Sequence, residues 1–126
     1  MHMSASQASA ATAIAFQLIA ALDRYKAEVE QLAALRVDPE AYHRLRLSLD
    51  EMRRYAFELP SLSLAWVELL IRHFELVHAL WKQQQQGDLG QEAFAALHQN
   101  HRDCLETLRV RCLRTLLQQD GTGARA

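Results

Sequence analysis

Apolar residues recur along this chain at steps of three and four, in four stretches parted by Asp38-Pro39, Pro60-Ser61 and Gly87-Asp88. Only an α-helix turns that spacing into one continuous side, and no stretch shows the alternation a half-buried strand needs. The first set is Leu18, Leu22, Tyr25, Val29 and Leu32, and the second is Tyr42, Leu45, Leu49, Met52, Ala56 and Leu59. Residues 62–81 are apolar at most positions, and the last stretch carries Phe94, Leu97, His101, Cys104, Leu105, Leu108, Cys112 and Leu116 on one side.

The punctuation predicts helices over 6–36, 39–58, 62–86 and 91–119, with 120–126 a loose tail. Asp38 can cap the second helix, Pro39 suits its first turn and Glu40 favours its positive end. Pro60 closes that helix and Ser61 can cap the third, while Asp120-Gly121 ends the fourth. Connections of a few residues make neighbouring helices antiparallel, so the expected architecture is all-α, a single-domain up-down-up-down four-helix bundle.

Composition agrees with one folded domain and removes several functions. Half of the 126 residues are hydrophobic, with only 2 prolines and 4 glycines, enough to bury roughly two-thirds of the unfolded surface. Fourteen basic and 15 acidic residues give a net charge of −1, without the basic footprint that nucleic acid or an anionic membrane requires. Expected partners are therefore another protein or a second copy, with no nucleic acid and no membrane. Glu68, Arg72 and Glu75 would make residues 62–81 expensive to insert into a bilayer. Residues 10–22 run into Asp23, Arg24 and Lys26 in helical register, unlike a signal peptide. Cys104 and Cys112 lie about 12 Å apart along one helix and cannot bridge, so reduced thiols and a cytoplasmic setting are expected. The Ala, Leu and Arg usage reads as bacterial.

Two features point toward function. The third helix is apolar over an arc of roughly 200°, where a bundle helix needs nearer 100° to 140°, so something besides its two neighbours is expected to cover it. Trp66, Leu69, Leu76, Leu80 and Trp81 are the expected contacts, in a homodimer or with an amphipathic partner helix.

The second feature is a pair of inward histidines. His73 lies about fourteen residues before the third turn and His101 about fourteen after, which sets both at one height in an antiparallel hairpin. Tyr25, Ser48 and Cys104 are expected near that level. Such a layer can be a hydrogen-bonded network fixing helix register, a site for a transition metal or non-covalent haem held by His73 and His101, or a pH-sensitive contact with a dimer mate. The network is the expected reading, without a cofactor.

Other chemistry is weakly written. Glu40 with His43 and Glu75 with His78 have the Glu-x-x-His spacing of di-iron bundles, but both pairs fall on outward arcs. His98 lacks the small residues and lysine expected after a phosphotransfer histidine. The arginines at 102, 109, 111 and 114 suit the end of the fourth helix and its solubility. No phosphate loop, nucleophile elbow or C-x-x-C motif is present. The expectation is a non-enzymatic, adaptor- or chaperone-like interaction module, the metal or haem bundle being its alternative.

Overall fold

Four helices form where the spacing predicts them, and the computed structural model describes residues 5–34, 39–86 and 90–125. Helix α1 runs Ala5–Ala34, α2 Pro39–Phe57, α3 Ser63–Gln86 and α4 Gln91–Arg125. The expected Asp38 cap, the end of the first helix at 36 and the turn at Gly87-Asp88 lie outside the described residues. Among the described residues no helix is long and apolar enough to cross a membrane.

Two boundaries differ from expectation. Ser61 does not cap α3 but sits inside a 3-10 turn, Pro60–Leu62, whose last residue Leu62 and preceding Leu59 are both buried. The Glu58 and Leu59 amides reach back to the Tyr55 and Ala56 carbonyls, and the Leu62 amide reaches Leu59 at 2.9 Å. Proline has a fixed φ and no amide to lose at a first position, so it starts this turn rather than only ending a helix. The second difference is the C-terminus, where α4 continues to Arg125 and no loose tail begins at 120. Glycine in a helix costs about 1 kcal/mol and does not break the hydrogen-bond ladder as proline would. Gly90, at φ +80°, precedes α4 and accepts the Phe94 amide at 3.1 Å, which starts the helix where expected.

Cross-links between helices show the antiparallel order. Arg24 and Glu28 of α1 meet Glu51 and Ser48 of α2, at 2.7 and 2.8 Å. Ala15, Asp23, Tyr25 and Glu30 meet Cys112, Arg109, His101 and His98 of α4. Numbers rise on one partner as they fall on the other. The core along these seams includes Leu18, Leu22, Met52, Leu69, Leu76 and Leu108.

The bundle is not evenly closed. α1 packs along both α2 and α4, and α3 packs along α4, whereas α2 and α3 touch sparingly. An open groove of about 610 Å³ separates them.

Candidate functional site

Three of the five residues expected in the polar layer come together. The Tyr25 hydroxyl lies 2.6 Å from His73 Nδ1 and 2.8 Å from His101 Nε2, joining α1, α3 and α4 at one point. All three side chains are buried. Burial pushes both imidazoles down to about 4, His101 also feeling the neighbouring His73 and His98, and it pushes the Tyr25 phenol up. At neutral pH the layer is therefore uncharged.

Proton counting then orders the layer. One phenol hydrogen can be donated to only one ring, so the other ring must donate its own N–H to the phenol oxygen. His101 Nδ1 is buried without a partner. If His101 accepted from Tyr25, that atom would be a buried orphan N–H; if His101 donates through Nε2, it is only an idle lone pair, the less damaging outcome. The favoured chain is therefore His101 Nε2–H to Tyr25, and Tyr25 O–H to His73 Nδ1. His73 is left with its hydrogen on Nε2.

Two expected members stand elsewhere. Ser48 donates to Glu28 at 2.8 Å, tying α2 to α1 rather than joining the histidines. Cys104, one turn past His101 and therefore rotated off the bundle axis, stands half-buried beside the Arg72 guanidinium. Of the ring nitrogens that a metal or haem could use, His73 Nδ1 and His101 Nε2 are both within hydrogen-bond reach of the Tyr25 hydroxyl. Both histidines are buried within the single chain, His73 at the floor of the gap between α2 and α3. Among the described residues no group of three His, Cys, Asp or Glu side chains could hold a metal ion. Glu40, His43 and His78 are exposed, and Glu75 pairs with Arg72 at 3.1 Å.

The sequence reading missed an ionic seam beside this layer. Arg102 grips both Glu30 oxygens at 3.0 and 2.9 Å, and His98, itself buried, reaches Oε1 of the same carboxylate at 3.2 Å. The Arg102 hydrogen bond foremost holds Glu30 below the usual carboxylate range, with help from His98. Arg109 reaches Asp23 at 3.1 Å. These two arginines tie α4 to α1 rather than simply decorating a helix end.

The surface of α3 calls for the main correction. Leu69, Leu76 and Leu80 are core residues and Trp66 is 9% exposed, so four of the five expected partner contacts are spent inside the chain. Only Trp81 is open, at 50%. The exposed apolar side is instead Leu64, Val67, Ile71 and Phe74, each 48–64% exposed, continuing through His78 to Trp81. Periodicity measures the width of an apolar arc, but only the position of α4 decides which part of it is covered. The signal for the open part was nonetheless present: 64, 67, 71, 74, 78 and 81 alternate by three and four.

The groove between α2 and α3 is a further surface that periodicity does not reveal. Leu45 and Leu49 of α2 and Trp66, Leu70 and Val77 of α3 supply its apolar walls. His73 lines it from within, and Tyr42, Arg46, Asp50 and Arg53 stand around it. Compared with known proteins, the chain matches no family model, no curated protein and no solved structure.

Proposed function

We propose that this protein is a non-enzymatic helical interaction module that self-associates through the uncovered row of α3. The supporting observation is that row itself: Leu64, Val67, Ile71, Phe74 and Trp81 stand half-exposed on one helix at coiled-coil spacing. His78 is the single polar member, and one polar residue in such a seam fixes register between two strands. A second copy is the natural occupant because a two-fold axis lays the same row against itself.

The area is sufficient. Half-exposed side chains of this size offer on the order of 100 Å² each, so a symmetric contact removes roughly 1,000 Å², where specific interfaces begin. The gross gain is on the order of 20 kcal/mol, against association costs of about 4–15 kcal/mol plus side-chain ordering. The two free thiols, Cys104 and Cys112, suit a reducing compartment such as the cytoplasm.

Absolute mass by light scattering across a dilution series tests the reading. A dimer is expected for the native chain and a monomer for Ile71→Glu, with helix content unchanged. A native chain that is monomeric at tens of micromolar, or an Ile71→Glu variant that remains dimeric, refutes it.

A further inference from the structure

The α2–α3 groove borders the exposed row at Phe74, but its chemistry differs. Its volume, about 610 Å³, lies within the roughly 300–1,000 Å³ typical of small-molecule sites. Below an apolar wall, its polar groups are nearly all hydrogen-bond donors. The proton order of the layer leaves His73 with Nε2–H, on the side of the ring turned from Tyr25, and His73 lines the groove. The Tyr42 hydroxyl is buried without a partner. Arg46 and Arg53 have no carboxylate partner among the described residues. Asp50 is the one acidic side chain of the lining, so two guanidinium groups against one carboxylate leave an excess of positive charge.

These groups also share a height. The Arg24–Glu51 contact sets this part of α2 level with Tyr25, and Tyr25 is bonded to His73. Arg46 and Arg53 therefore lie about one turn to either side of the histidine. A donor-lined, positively charged middle with apolar walls selects a ligand that brings acceptors and negative charge on a greasy body.

From this juxtaposition we infer that the groove binds an amphipathic carboxylate: an apolar chain or ring system against Leu45, Leu49, Trp66, Leu70 and Val77, with its carboxylate accepting from His73 Nε2–H and an arginine of α2. The inference is independent of self-association, which uses the neighbouring row. It also gives the Tyr25 relay a role, since the phenol holds the histidine in the donor tautomer that a carboxylate needs.

Titration calorimetry with dodecanoate, dodecanol and dodecyltrimethylammonium, each below its micellar concentration, tests it. Saturable binding of one dodecanoate per chain is expected, at least tenfold tighter than either analogue. Arg46→Gln with Arg53→Gln, two lip residues outside the core, should weaken dodecanoate tenfold or more and leave dodecanol unchanged. Leu70→Trp, which narrows the groove, should weaken both, with far-UV circular dichroism checking its fold. The nitrogen resonance of His73 Nε2 should shift on adding dodecanoate. Ile71→Glu protein should bind as the native chain does, whatever its oligomeric state.

Absence of saturable binding overturns the inference, as does equal affinity for dodecanoate and dodecanol, which marks a merely greasy surface. Binding that survives in folded Leu70→Trp, or is lost in Ile71→Glu, places the ligand outside the groove and overturns it as well.

Discussion

Mild acid should destabilise this bundle well before its carboxylates titrate. His73 and His101 ionise near 4 when folded, against about 6.5 when unfolded. Below 6.5 the unfolded chain therefore takes up protons that the folded chain refuses, and stability falls with pH until the folded values are reached. Their contribution is complete above about 6.5 and is lost between 6.5 and 4. Each imidazole contributes a slope of up to about 1.4 kcal/mol per pH unit, so moving from pH 7 to pH 5 should remove roughly 4 kcal/mol for the pair. That is a large part of the 5–15 kcal/mol typical of a domain.

Urea unfolding followed by circular dichroism at pH 7, 6 and 5, at one protein concentration, measures the loss. The control replaces the whole layer with Tyr25→Phe, His73→Leu and His101→Leu, because an apolar layer leaves no orphaned partner. The slope in this window should disappear in the control. Glu30, held below the usual carboxylate range, adds its own loss only at lower pH. A native chain equally stable at pH 7 and pH 5, or a control that keeps the native slope, refutes the reasoning.

Two further outcomes follow from the same contacts. Tyr25→Phe alone removes the one hydroxyl serving both rings, and leaving their nitrogens unpaired should cost about 2–5 kcal/mol in urea unfolding at pH 7. Cys112 is fully buried, donates to the Ala15 carbonyl at 3.3 Å, and has its thiol pushed up to about 11 by burial. In a thiol-exchange assay with mass mapping, Cys112 should remain unmodified until denaturant is added.

Much of this molecule is legible in the spacing of its residues. Helix positions, the inward sets of α1 and α2, and the common height of His73 and His101 need only the helical repeat and short connections. Tyr25 could be placed near that height for the same reason, its own apolar set pointing it inward. Cys104 could not be excluded by counting, because one turn preserves height closely enough while rotating the thiol toward Arg72. His98 gave no sign of burial, since its partner Glu30 lies 68 positions earlier.

Sequence alone, through periodicity and proline or glycine punctuation, determined that four helices form, that they alternate in direction, and that two imidazoles enter the core at one level. These are properties of a single helix and its immediate neighbour. Tertiary structure alone decided that α2 and α3 stand apart, that Leu69, Leu76 and Leu80 are enclosed while Leu64, Ile71 and Phe74 are left open, and that one phenol links both histidines. The physical reason is that a helix carries its apolar arc in its residues, whereas the part of the arc that meets water depends on where the other helices pack.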